Sequence, residues 1–139
     1  MKNFLALSLI LFTFLSCNKE DDIPSDLNFK QEMRDFVIGI SQSTKATKAD
    51  FLIFPQNGIE LVTDDGDENG TINSTYLEAI DGNGQEDLFY GYDSDNQATP
   101  ANENNYLRTF LDISKNAGNT ILVTDYCSTP AKMEDAYQQ

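Results

Sequence analysis

The 139-residue chain carries 23 acidic and 9 basic residues, a formal net charge of −14, two cysteines and no histidine. Without histidine, Ser-His-Asp triads and His-ligated zinc sites are excluded, and no metal site is expected. The acidic excess argues against nucleic acid, whose phosphates need clustered Lys and Arg; it favours a cationic partner, or it simply keeps an exported domain soluble.

In chain order, the first feature is a leader. Lys2 is followed by an almost wholly apolar run from Phe4 to Leu15, then by Ser16 and Cys17. The run is shorter than the about 20 residues needed to cross a bilayer. It therefore reads as an export signal over residues 1–16 rather than a spanning helix. A small residue directly before cysteine is what a lipoprotein signal peptidase requires, so Cys17 is expected to be acylated. Several acyl chains at about 0.8 kcal/mol per buried CH₂ would hold the protein firmly to a membrane. Residues 17–28, with Glu20, Asp21, Asp22, Pro24 and Asp26, read as an acidic tether. The charged stretch behind the cysteine resembles the signal that routes lipoproteins to the outer face of the outer membrane, and serves equally as a plain solvated linker. An outer-membrane lipoprotein is the expected location. Residues 29–139 suffice for one small domain. Cys127 is the second cysteine, so no intrachain disulfide is expected once Cys17 is acylated, and Cys127 reads as a buried thiol rather than a nucleophile.

Phe29, Met33, Phe36, Val37 and Ile40 recur at helical spacing, which predicts a helix over 27–45. Phe51 to Phe54 is a continuous apolar run, the pattern of a strand buried on both faces, stopped by Pro55. Thr63 to Asn73, rich in acids and amides with Gly66 and Gly70, reads as a loop. Tyr76, Leu77 and Ile80 suggest a short second helix capped by Asn73 or Ser74. Propensity reads Asp81 to Glu86 as a turn and Leu88 to Tyr90 as a short strand. A polar loop over 92–105 precedes an amphipathic third helix through Tyr106, Phe110 and Ile113, closed by Asn116-Ala117-Gly118. Thr120 to Thr124 is the clearest strand, and a further helix begins near Ala131.

Helices alternating with apolar strands imply an α/β fold with parallel strands. Polar residues gather where these strands end: Gln56 and Asn57, Glu86 and Asp87, Asp125 and Tyr126. Sites in parallel α/β folds lie at such ends, although polar residues also cap any strand that meets water. No glycine-rich phosphate loop is present, and no cofactor is expected.

Three segments, Phe51-Leu-Ile-Phe-Pro-Gln-Asn-Gly-Ile-Glu-Leu61, Ala79-Ile-Asp-Gly-Asn-Gly-Gln-Glu-Asp-Leu-Phe-Tyr-Gly91 and Ile121-Leu-Val-Thr-Asp-Tyr-Cys127, resemble the bacterial branch of glycoside hydrolase family 114. The resemblance spans residues 29–139. It implies part of a (β/α)8 TIM barrel, about a third to a half of the usual about 250 residues. It also implies endo-α-1,4-polygalactosaminidase activity, with a polysaccharide as partner. Glu86 matches the family's catalytic Glu, which makes the preceding segment a strand instead of a turn. Gln56, Asn57 and Asp125 match positions lining the cleft, and the segment carrying the family's Asp has no counterpart. Glycoside hydrolysis uses two carboxyl groups, one protonating the leaving oxygen and one acting as base or nucleophile, so a lone Glu86 cannot fill both roles. Glu86 is expected as the general acid or its partner. The competing expectation is a non-catalytic glycan-binding lipoprotein using Phe89, Tyr90 and Tyr92, because sugar rings stack on aromatic faces; Tyr92 is the candidate substrate contact.

Overall fold

Asn28 starts the first helix by accepting the Gln31 N–H on its side-chain oxygen at 3.1 Å, satisfying one of the donors a helix N-terminus leaves free. The computed structural model describes residues 24–139; the expected export signal over 1–16, the expected acylation site Cys17 and residues 17–23 of the expected tether lie outside them. Helix α1 covers Phe29–Thr47. Most of its apolar stripe does not face the core: Phe29 and Phe36 are each 63% exposed, Met33 49% and Ile40 39%, and of the stripe only Val37 packs against it. The buried positions are Arg34 and Ser41, with Val37 and Ile38 packed beside them. The orientation follows from hydrogen bonding. Arg34 donates to the carbonyls of Leu61, Thr63 and Asp64, and Ser41 to that of Ala79 at 2.6 Å. Carbonyls buried without these donors would be costly, and that cost turns the helix.

The chain then alternates helices and strands, though not with strands at every expected position. A short 3-10 turn, Ile59–Val62, leads to α2, Ser74–Ala79, which Asn73 caps by accepting the Tyr76 N–H at 2.8 Å. Strand β1 is Gly82–Glu86, α3 is Ala101–Asn116, β2 is Thr120–Thr124 and α4 is Pro130–Gln138. Strands β1 and β2 pair in parallel, Gly82 opposite Thr120 through Glu86 opposite Thr124. The segment from Phe51 to Gln56 lies along the other edge of β1 in the same direction. Asp81 N–H donates to Ile53 O at 2.9 Å, Gly84 N–H to Pro55 O at 2.8 Å and Asn57 N–H to Gly84 O at 2.7 Å. Gln56 and Gly84 form a parallel bridge. Pro55 has no N–H to give, which interrupts the ladder and leaves an extended edge where a continuous strand was expected. The 81–86 segment is a strand, against its turn-like composition. No strand forms at Leu88 to Tyr90; Leu88 is in the core, and Tyr90 makes a single antiparallel bridge to Ala98. The Thr63–Asn73 loop is closed by an antiparallel bridge between Thr63 and Ile72.

Parallel register gives the sheet two distinct faces. Ile53, Asn83 and Ile121 turn towards the helices and join the core of Ile59, Val62, Tyr76, Leu77, Phe110 and Leu111. Asn83 is fully buried and accepts the Ser114 hydroxyl at 2.5 Å. The opposite face carries Leu52, Phe54 and Gln56, then Gly82, Gly84 and Glu86, then Thr120, Leu122 and Thr124. Leu52 at 62% and Leu122 at 52% exposure leave this face open. The architecture is thus α/β, a small parallel sheet with helices against one face.

Candidate active site

Three neighbouring chain segments end at the same edge of the sheet, and each contributes one side chain. Glu86 is the last residue of β1, Asn57 follows the 51–56 segment, and Tyr126 lies just beyond β2. The Tyr126 hydroxyl donates to Glu86 Oε1 at 2.6 Å, and Asn57 Nδ2 donates to Oε2 at 3.1 Å. Asn57 returns the contact by accepting the Glu86 N–H on Oδ1 at 3.2 Å. Asn57 has φ +58°, a left-handed conformation that asparagine tolerates better than most residues. This conformation turns the chain sharply after Gln56 and brings the amide back over the end of β1.

Hydrogen bonds to the charged form favour it. The Tyr126 hydroxyl first, then the Asn57 amide, hold the Glu86 carboxyl below the ordinary glutamate range against the opposing effect of burial, with a lesser contribution from Gln56. The neighbouring Asp87 moves the other way. Burial, then the charges of Glu86, Asp125 and Asp95, raise its pKa. Asp87 has φ +57°, and its Oδ1 is buried with no hydrogen-bond partner. Gly91, at φ +119°, makes room for this arrangement: a Cβ there would sit 2.4 Å from Asp87 Oδ1 and 2.9 Å from Tyr126 Cβ.

Of the residues expected at the site, Gln56 and Asn57 do converge on Glu86. Asp125 instead braces the backbone. Its Oδ1 accepts the N–H groups of Phe89 at 2.8 Å and Tyr90 at 2.9 Å, fixing the loop after β1. Tyr92 is 47% exposed, the neighbouring Glu103 raises the pKa of its hydroxyl, and it makes no hydrogen bond to Glu86. Tyr126 stands at a strand end in the sequence, but its pattern alone does not place it in the site. A usable signal exists in the register: Thr124 lies opposite Glu86, and two residues further on is one step along the same face. Beside the clamp, Asp95, Asn96, Asp125, Tyr126, Cys127 and Ser128 line a recess of ≈ 250 Å³. The Cys127 thiol is free and partly buried there.

The chemistry open to this arrangement follows from the two opposed shifts. An ionised, doubly hydrogen-bonded Glu86 can act as a base, as a nucleophile, or as the counter-ion of a cation. It is poorly suited to be a general acid, which needs its proton retained near the working pH. Among the described residues, no group of three or more Cys, Asp and Glu is placed to hold a metal ion. No protein-family model and no curated protein matches the sequence.

Proposed function

We propose that the chain is a lipid-anchored, glycoside-hydrolase-like protein of the TIM-barrel type, resembling glycoside hydrolase family 114. Its substrate in this reading is a cationic, galactosamine-type polysaccharide at the outer membrane. The observation that carries the reading is the Glu86 carboxylate, fixed at the C-terminal end of a parallel strand by groups from the two adjacent segments. That is where parallel α/β folds build their sites. A net charge of −14 adds long-range attraction for a polymer of ammonium groups.

Two carboxyl groups are needed for hydrolysis, and their environments should drive their pKa values apart. Asp81 is held at the far end of β1, where it pairs with Lys45 Nζ at 2.9 Å and accepts the Ile53 N–H. Asp125 is engaged by the loop after β1. Asp87 is left, and its carboxyl is the one pushed towards the neutral form. In this reading Glu86 is the base or nucleophile and Asp87 the candidate acid partner.

The test is cleavage of a deacetylated galactosamine polymer by the full chain, Glu86→Gln and Asp87→Asn. Loss of a catalytic carboxyl should cost about 10²- to 10⁴-fold. Turnover by Glu86→Gln within about threefold of the unaltered chain removes Glu86 from the mechanism. A second reading, a non-catalytic glycan-binding lipoprotein, is favoured by one observation: Asp87 Oδ1 lies under the loop at Gly91 instead of free in the cleft. Saturable polymer binding without cleavage, weakened by Tyr92→Ala, selects it.

A further inference from the structure

The two chains of contact that reach Glu86 differ in kind. Asn57 makes a two-way exchange with Glu86, giving its amide to Oε2 and taking the Glu86 N–H, so it serves the backbone as much as the carboxylate. Tyr126 makes one contact with Glu86, from its hydroxyl to Oε1, and that contact is the shortest the carboxylate has. The Tyr126 backbone is fixed independently: its N–H donates to Tyr90 O at 3.0 Å, and its carbonyl accepts the Asn96 N–H at 2.8 Å. Its Cβ and ring pack against Gly91, where no side chain intervenes. The ring is therefore aimed by its own loop, and its hydroxyl is free to act on the carboxylate alone.

We propose that Tyr126 is a positioning residue: its hydroxyl, donated to Glu86 Oε1, locks the carboxylate between two strand ends so that Glu86 meets a cationic sugar as an anion in one orientation. This rests on the reading of Glu86 as the substrate-facing carboxylate. Charge-assisted O–H···O⁻ bonds of this length are among the stronger ones, and a planar phenol gives direction as well as charge stabilisation. Tyr126 does not touch the reacting bond; it acts through Glu86. The direction of the shifts agrees, since the same contact lowers the Glu86 pKa and raises that of Tyr126.

The experiment uses the full chain, Tyr126→Phe, which removes only the hydroxyl, and Tyr90→Phe as control, whose lost hydroxyl pairs with Asp135. The side-chain carboxyl resonance of Glu86 is followed by carbon NMR against pH. The titration midpoint is expected to rise towards the ordinary glutamate range in Tyr126→Phe and to stay unchanged in Tyr90→Phe. In the unaltered chain, the Tyr126 Cζ resonance should also change at the Glu86 midpoint, a readout that does not depend on the variant folding. A Glu86 midpoint unmoved by Tyr126→Phe, or a Tyr126 resonance blind to Glu86, overturns the proposal. Binding of a deacetylated galactosamine oligomer supplies the functional arm. At a pH between the two midpoints, Tyr126→Phe should bind at least about threefold more weakly, and the deficit should shrink at neutral pH to the part that orientation alone contributes. A plain structural brace would lower stability but leave the pH at which binding fails unmoved, which counts against positioning. If the unaltered chain does not bind the oligomer at all, the glycan reading falls, and the NMR arm alone decides the role of Tyr126.

Discussion

Replacing Arg34 with Met should remove a large part of the stability of the fold while leaving its packing nearly intact. Arg34 is fully buried, and its guanidinium donates to Leu61 O at 2.8 Å, to Thr63 O and to Asp64 O at 2.9 Å, with a longer contact to Gln31 Oε1 at 3.3 Å. Met keeps most of the aliphatic stem, so the loss is in hydrogen bonds more than in cavity. Asp64 is exposed, and water can replace the donor to its carbonyl. Thr63 is fully buried and Leu61 partly so, which leaves two acceptors poorly satisfied. At about 1–3 kcal/mol for each unsatisfied buried acceptor, the gross cost is about 2–6 kcal/mol. Against this stands relief from burying a charge that has no carboxylate partner among the described residues. The net expectation is a loss of about 2–4 kcal/mol, set against a typical total of about 5–15 kcal/mol. Urea unfolding followed by circular dichroism should show a lower midpoint with an unchanged slope. Arg34→Lys, which keeps the charge and fewer donors, should fall between. A loss under about 0.5 kcal/mol for Arg34→Met would refute the argument that the guanidinium pins the 61–64 segment.

Gly82→Ala should destabilise the sheet clearly more than Gly84→Ala in the same assay, because a Cβ at 82 would lie 2.2 Å from the Phe54 ring and 2.3 Å from Thr120 O, whereas one at 84 meets nothing closer than 3.6 Å. Equal losses would contradict the assignment of Phe54 to the open face over Gly82. Burial, the largest single effect, pushes the Asp81 carboxyl up, but Lys45 and the Ile53 N–H together outweigh it and hold the group below its ordinary value. A depressed folded-state pKa stabilises the fold above the unfolded value of about 3.9 and stops doing so as pH falls through the folded one, so the advantage over Asp81→Asn should be present at neutral pH and vanish on acidification; an advantage that grew on acidification would reverse the sign. Cys17→Ser should abolish fatty-acid labelling and release the protein from the membrane fraction, and equal labelling in the variant would remove the lipid anchor.

The parts of the fold that local physics controls could be read from the residues. Asn73 ahead of Ser74, Gly118 at φ +98° after α3, and the β-branched and apolar run of β2 each act through neighbours in the chain. The parts missed are those decided by distant partners. The stripe from Phe29 to Ile40 has the period of a core-facing helix, yet α1 turns Arg34 and Ser41 inward because the carbonyls of Leu61, Thr63 and Ala79 need donors. No periodicity reports where those carbonyls will be. In the candidate site, the approach of Asn57 to Glu86 joins two residues that their motifs had singled out. Tyr126 was not legible in this way, because its role depends on the register between β1 and β2, which sequence patterns do not fix.

The least strand-like segment of the chain, Gly82-Asn-Gly-Gln-Glu86, is its central strand, and the reason joins fold to site. Its glycines and amides give it low intrinsic β-propensity. It is held instead by parallel partners on both edges and by the Ser114 hydroxyl on Asn83. What Gly82 supplies is space on the open face. At 84 a Cβ would make only ordinary contact with Gln56, whereas with no side chain at 82 the Phe54 ring lies against the backbone. That close approach lets Asn57 donate its N–H to Gly84 O at 2.7 Å and then turn its side chain onto Glu86. A bulkier residue at 82 would push the 51–56 segment outward and carry Asn57 with it. The carboxylate would then keep the Tyr126 hydroxyl but lose the amide, and its pKa would rise. Gly82, which weakens the strand, is therefore also the residue that lets one side of the clamp close around Glu86.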